Sequence, residues 1–155
     1  MVDLDLFKRF NDAYGHAAGD LVLRTFSRTL REAVRRTDIV ARFGGEEFVV
    51  VMPETPAIDA GAKLDQIRRA MEALRIQAPG DPGARVTLSA GVASFDPERD
   101  QGLKILERAD DLLMAAKRAG RNCVMSEFGI VPPGVLDNGG HEPHDARVDA
   151  RARRS

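Results

Sequence analysis

Two acidic clusters stand where the surrounding pattern is apolar and strand-forming. Asp3-Leu4-Asp5 separates two carboxylates by one apolar residue, which on a strand puts both on one face. Gly44-Gly45-Glu46-Glu47-Phe48 follows a glycine pair with adjacent carboxylates, which strand alternation sends to opposite faces. Glycines there let a ligand approach the backbone closely. A hard cation such as Mg²⁺ is usually held by one or two carboxylates plus substrate phosphates, and a strand-end Asp beside a hairpin Glu supplies that pair. Phe7-Lys8-Arg9-Phe10-Asn11 reads as a turn whose free N–H groups suit phosphate oxygens. Lys117 and Arg121 bracket the end of a later helix, where cations also favour the helix dipole. Taken alone, a Gly-Gly-acid turn is an ordinary hairpin tip.

The elements that must carry these groups follow from periodicity. From about Gly19, the spacing of Leu23, Phe26, Leu30 and Val34 predicts a helix. Ile39–Phe43 and Phe48–Met52 flank the glycines as a hairpin, and the unbroken second run reads as a strand buried on both faces. Thr55-Pro56 reads as an N-cap and first-turn proline, opening a helix through Ala60, Leu64, Ile67, Met71 and Leu74. Pro79–Gly83 is a turn-rich break, and Val86–Val92 alternates as a half-buried strand. Gly102–Ala119 predicts a third helix, with Gly120 at its C-cap and a short strand from Cys123 to Met125. A mixed, mostly antiparallel central sheet with surrounding helices, of the α+β class, is the economical solution. Residues 1–125 form one domain, and residues 126–155 read as a disordered tail. His141 and His144 in that tail have a metal-like spacing with no nearby ligands, and are read as chance.

Composition bounds the function classes. Lys and Arg total 23 and Asp and Glu 24, interspersed, so no basic stripe marks a nucleic-acid groove. No apolar run is long enough to span a bilayer, and the first residues lack the pattern of a signal peptide. The lone Cys123 suits a reducing, cytoplasmic setting and reads as a small buried hydrophobe.

Taken together, the segments resemble the GGDEF family of diguanylate cyclases. The resemblance is carried by residues 3–12 (Asp-Leu-Asp-Leu-Phe-Lys-Arg-Phe-Asn-Asp), 14–20 (Tyr-Gly-His-Ala-Ala-Gly-Asp) and 35–38 (Arg-Arg-Thr-Asp). It continues through Ile39 to Phe48, Ser89-Ala90-Gly91-Val92, and residues 116–122 (Ala-Lys-Arg-Ala-Gly-Arg-Asn). These motifs stand in the family's order and approximate spacing across nearly all of residues 1–125.

The resemblance implies a nucleotidyl-cyclase, palm-like fold and a homodimer in which each protomer holds one GTP. Each ribose 3′-hydroxyl attacks the partner's α-phosphate, giving cyclic di-GMP and pyrophosphate. It implies Asp3, the Leu4 carbonyl and Glu46 as ligands of Mg²⁺ (or Mn²⁺), with Glu47 a further ligand. Glu46, Glu47 and Lys8 are the expected catalytic residues. Backbone amides at Phe7 and Lys8, with Lys117 and Arg121, are expected on the β- and γ-phosphates. Asn11 and Asp20 match the guanine readers, a carboxylate suiting guanine's N–H donors; the plain alternative for Asp20 is a helix N-cap. Arg35 and Asp38 match the inhibitory site for the cyclic di-GMP product, and otherwise read as a surface ion pair. Gln66 stands where the family often has a second arginine, so product inhibition is expected to be weaker. Met114 replaces a usual tyrosine, a packing change.

The resemblance also implies that the domain lacks its first helix and most of its first strand, the chain opening inside the metal motif. The polypeptide is therefore expected to be unstable, with little or no cyclase activity and a mobile, partly positive terminus beside Asp3. Two alternatives remain open: a non-catalytic GTP or cyclic di-GMP binding module, and a related cyclase acting on ATP, which Asn11 and Asp20 disfavour.

Overall fold

The computed structural model describes residues 1–101 and 103–134. A six-stranded sheet forms its centre, in the order β2 (Ile39–Arg42), β3 (Glu47–Val51), β1 (Val2–Leu4), β6 (Leu88–Val92), β7 (Val124–Ser126), β8 (Gly129–Ile130). Only the β6–β7 pairing is parallel. The four helices are α1 (Phe7–Tyr14), α2 (His16–Ala33), α3 (Ala57–Ala73) and α4 (Lys104–Arg118). The expected α+β class with a mixed, mostly antiparallel sheet is what the chain adopts. Among the described residues, no helix is long and apolar enough to cross a membrane.

β1 has three residues, yet both its edges are paired: Val2 faces Phe48 and Ala90, while Asp3 faces Glu47 and Ser89. Alternation sends Val2 and Leu4, both 0% exposed, into the main core with Phe26, Leu30, Phe48, Ile67 and Met71. Phe26 meets Phe48 edge-on, with ring centroids 4.9 Å apart. The other face packs Met1, Val49 and Ala93 on Leu106, Ala109 and Leu113 of α4. α4 lies so near the sheet that a Cβ on Gly91 would stand 2.1 Å from the Ala109 carbonyl oxygen. Beside Met1, an apolar hollow of about 730 Å³ opens between β3, β6 and α4.

Several expectations need correction. Phe7–Asn11 is not a turn but most of helix α1. Phe7 and Phe10 are buried one turn apart, and Phe10 stacks on Tyr14 with centroids 4.8 Å apart. α2 starts at His16, ahead of Gly19, and Asp20 lies inside it, so Asp20 is not an N-cap. β3 is not buried on both faces: Phe48 is, but Val49 and Val50 are half-buried and Val51 is 47% exposed. β6, conversely, is buried at all five residues, because α3 and α4 both pack on it. At α3, Pro56 is the N-cap, and the Thr55 hydroxyl instead donates to the Pro53 carbonyl at 3.0 Å.

The Pro79–Gly83 break contains a small hairpin, β4 (Ile76–Ala78) with β5 (Asp81–Ala84), turned at Gly80 with φ 77°. The fold also runs past residue 125. β8 returns along β7, and buried Val131 packs against Gly61 of α3, so residues 126–131 belong to the domain. His141, His144 and the remainder of the expected tail, residues 135–155, lie outside the described residues. The terminal nitrogen of Met1 is not beside Asp3. It is buried and donates to the Gly91 carbonyl at 3.0 Å.

Candidate active site

The acids gather where β1 meets the β2–β3 hairpin. Asp3 alternates with Val2 and Leu4, so it points to the α4 face, side by side with Glu47 in register on β3. The hairpin loop, residues 43–46, is closed by the Phe43 and Gly44 N–H groups donating to the Glu47 carbonyl at 2.8 and 3.2 Å. Arg42 braces it, its Nε and Nη2 donating to the carbonyls of Gly44 and Gly45 at 3.1 and 2.5 Å. A Cβ on Gly44 would lie 2.5 Å from the Glu47 carboxylate and would push that side chain aside, whereas a Cβ on Gly45 would meet nothing within 4 Å. The Leu4 N–H donates to the Glu46 carbonyl at 3.3 Å, fixing the hairpin to β1.

These carboxylates crowd one another. Burial raises the pKa of Asp3, with Glu47 and Asp5 adding to the rise and Lys117 opposing it. Burial likewise raises Glu46, helped by the charges of Asp3 and Glu47 and opposed by Lys117. Lys117, the penultimate residue of α4, places Nζ 2.9 Å from Asp3 Oδ2. Among the described residues, no three His, Cys, Asp or Glu side chains converge as a ready cation cage. The donor set nonetheless fits a hard divalent cation arriving with phosphates: two hard carboxylates, both raised by burial and mutual repulsion, with a neighbouring carbonyl.

The first turn of α1 follows β1 after only two residues, because Leu6 takes a left-handed conformation (φ 55°). No side chain caps that helix, so the Phe7 and Lys8 N–H groups keep the unpaired state of any helix start. The Phe7 ring is buried, whereas the Lys8 side chain is exposed. Asn11 sits one turn further along α1, against α2. Its Oδ1 is buried with no hydrogen-bond partner among the described residues. Gly19 makes that approach feasible: a Cβ there would stand 1.8 Å from Asn11 Oδ1. Asp20, exposed, follows directly on α2. Arg121 is exposed in the turn after α4 with φ 66°.

Arg35 and Asp38 lie apart from this cluster, at the end of α2, lining a hollow with Val34, Met52, Asp59 and Lys63. Asp38 is 8% exposed; Oδ2 accepts the Arg35 N–H at 2.8 Å, and Oδ1 has no partner among the described residues. Sequence reasoning missed Lys63, one turn ahead of the exposed Gln66 on α3, whose Oε1 accepts from Lys63 Nζ at 2.9 Å. Helical i,i+3 geometry was the available signal. The Cys123 thiol is half-buried and raised by burial, in keeping with a packing role.

The family model described as "Diguanylate cyclase, GGDEF domain" matches residues 1–123. The chain is 42% identical over 132 residues to Diguanylate cyclase A of Treponema denticola, covering 85% of this chain and 35% of that protein. It is 45% identical over 123 residues to Diguanylate cyclase DgcP of Pseudomonas aeruginosa, covering 79% and 18% respectively. The chain thus spans about a third or less of the curated relatives' length. Among solved structures, it resembles the GGDEF domain of DgcB from Caulobacter crescentus in complex with c-di-GMP. The TM-score is 0.75 and the identity 35%, over 81% of this chain and 74% of that one. The active GGEEF domain of a diguanylate cyclase from Vibrio cholerae gives 0.75 at 31% identity, over 81% and 78%. A match that runs from Met1 almost to β7, through both acidic motifs, settles the kinship: the chain belongs to the GGDEF family of diguanylate cyclases.

Proposed function

We propose that this chain is a GTP half-site of a diguanylate cyclase, two copies of which join two GTP molecules into cyclic di-GMP and release two pyrophosphates. The observation that carries the reading is the Lys117–Asp3 ion pair, with Glu46 and Glu47 near enough for their charges to act within the same cluster. A site of that composition suits a triphosphate and its counter-cation. Asp3, the Leu4 carbonyl and Glu46 would hold Mg²⁺ (or Mn²⁺), with Glu47 beside them. When bound, such an ion neutralises phosphate charge and lowers the pKa of the attacking hydroxyl. The N–H groups of Phe7 and Lys8, with Lys117 and Arg121, hold the β- and γ-phosphates, and the Lys8 side chain lies at the same helix start. Lys117 exchanges Asp3 for a phosphate oxygen as the nucleotide enters.

Asn11 and Asp20 read guanine. The unpartnered Asn11 Oδ1 supports this, because a buried acceptor without a donor is costly until a ligand supplies one. Condensation needs two protomers facing each other, since one half-site holds one GTP. Each 3′-oxygen forms a bond to the partner's α-phosphorus as the bond to the β-phosphate oxygen breaks. The domain works in the cytoplasm, where GTP is available.

Product feedback belongs to the hollow at Arg35 and Asp38. The orphaned Asp38 Oδ1 suits guanine N–H donors, and Arg35 with Lys63 suits phosphate. Gln66 in place of arginine makes that binding weaker than in relatives with two arginines, while Lys63 keeps one cation on the α3 side.

Incubating the chain with GTP or ATP and Mg²⁺ tests the reading by chromatography of the products. Cyclic di-GMP from GTP alone supports it. GTP binding without turnover would instead identify a binding module, and cyclised adenine product would overturn the guanine assignment.

A further inference from the structure

Asp5 is the acid of the first motif that the reaction above does not use. Asp5 is 6% exposed, and both its carboxylate oxygens accept hydrogen bonds. Oδ1 accepts from the Ser89 hydroxyl at 2.7 Å; Oδ2 accepts from the Thr87 hydroxyl at 2.7 Å and from the Asn122 N–H at 3.0 Å. Ser89 and Thr87 come from the neighbouring strand and its approach. Asn122 comes from the turn after α4, directly behind Arg121.

That turn has one backbone bond to α4, the Arg121 N–H donating to the Ala116 carbonyl at 3.1 Å. Arg121 (φ 66°) and Asn122 (φ 48°) are successive non-glycine residues in the left-handed region, which is unfavourable for an arginine and less so for an asparagine. The remaining bonds that hold it converge on Asn122. Its Nδ2 donates to Glu72 Oε1 at 2.8 Å, and its Oδ1 accepts from Arg68 Nη1 at 2.9 Å. Arg68 is itself fixed, Nε on Asp65 Oδ1 at 2.8 Å and Nη1 on Glu72 Oε2 at 2.9 Å. The backbone N–H of Asn122 is held by Asp5 on the strand side, and its amide is held by α3 on the other.

We propose that Asp5 and Asn122 are positioning residues of the phosphate site: they hold the left-handed turn against β1, so that Arg121 stays with Lys117 over the strand that carries Asp3. The assignment rests on the GTP-condensing reading of that site. Asp5 lies on the same face as Asp3 but is no cation ligand, since both its oxygens are engaged by donors.

The test uses the full chain with inorganic pyrophosphate and GTP as probes, by titration calorimetry. Asp5→Ala, which removes the acceptor, and Asn122→Gly, which permits φ > 0 but loses the side-chain anchors, should each weaken pyrophosphate binding roughly 10–100-fold. Asp5→Asn should recover binding to within a few-fold of wild type, roughly the cost of one weakened hydrogen bond. Its amide oxygen keeps Thr87 and Asn122, and its NH₂ donates to the Ser89 hydroxyl. The Asn122 N–H should exchange with deuterium faster in Asp5→Ala than in wild type or Asp5→Asn. The Mg²⁺ midpoint for GTP binding should stay put in Asp5→Asn; a midpoint shifted as far as in Asp3→Asn would make Asp5 a ligand and overturn the proposal. Asn122→Gly and Asp5→Ala that bind pyrophosphate like wild type would overturn it as well, with the GTP reading intact. Wild type that binds neither GTP nor pyrophosphate would overturn both. Should Asp5→Ala fail to fold, Asn122→Gly and Asp5→Asn decide the matter.

Discussion

Lys117 Nζ stands 2.9 Å from Asp3 Oδ2, joining the end of α4 to the central strand across 5%-exposed Asp3. One cation thus neutralises the acid that the proposed metal would otherwise balance, and must release it when phosphate arrives. Lys117→Met should leave a buried carboxylate alone and destabilise the nucleotide-free protein by about 2 kcal/mol, the lysine's partial exposure tempering the loss. Adding Asp3→Asn should return most of that stability without restoring synthesis. Urea melts of the two variants and their combination measure the coupling directly. Independent, additive effects would contradict the pairing.

The contact of Gly19 with Asn11 makes a second prediction. In Gly19→Ala the new methyl must displace the Asn11 amide, since 1.8 Å is far inside contact distance. Overpacking of this kind costs about 1–3 kcal/mol. The KM for GTP should rise while the Mg²⁺ requirement stays unchanged, because the guanine side is disturbed and the acidic side is not. Steady-state kinetics at several Mg²⁺ concentrations would check this; an altered metal requirement would count against it.

The hollow at Arg35 makes the third. Lys63→Ala should weaken cyclic di-GMP binding about tenfold, the worth of one charge-assisted bond. Gln66→Arg should strengthen it by a similar factor. Calorimetry with the purified product reads both, and insensitivity to Lys63 would remove it from the product site.

A pH effect follows from Met1. In a polypeptide whose first residue is Met1, burial lowers the α-amino pKa from 8.0 to about 6, with Asp110 opposing the fall. The unfolded chain therefore holds this proton more tightly, and between those values stability should rise with pH, by up to about 3 kcal/mol. Thermal melts from pH 6 to pH 8 should move upward, and acetylating the amine should flatten the trend. Melts that fall across this window would contradict it.

How much was legible beforehand differs by residue. Asp3, Glu46 and the hairpin were readable because adjacent residues make each motif. Helix α1 was missed although Phe7, Phe10 and Tyr14 keep the i, i+3, i+7 spacing of an amphipathic helix, because eight residues show little more than two turns of it. Burial of β6 on both faces was hidden by Ser89 and Gly91, small or polar residues of which Gly91 admits α4 and Ser89 donates to Asp5. The Lys117–Asp3 and Asp5–Asn122 contacts join residues more than 100 positions apart, which periodicity cannot report. Lys63 escaped because motif spacing points to position 66, whereas a helix offers its neighbour one turn away for the same hollow.

The central claim is tested most directly by the product of a long incubation with GTP and Mg²⁺, comparing wild type with Glu46→Ala. The account predicts slow formation of cyclic di-GMP with two pyrophosphates per product in wild type. It predicts none in the variant, which still folds and still binds cyclic di-GMP at Arg35. No cyclic di-GMP from folded, GTP-bound wild type, or equal amounts from Glu46→Ala, would contradict it.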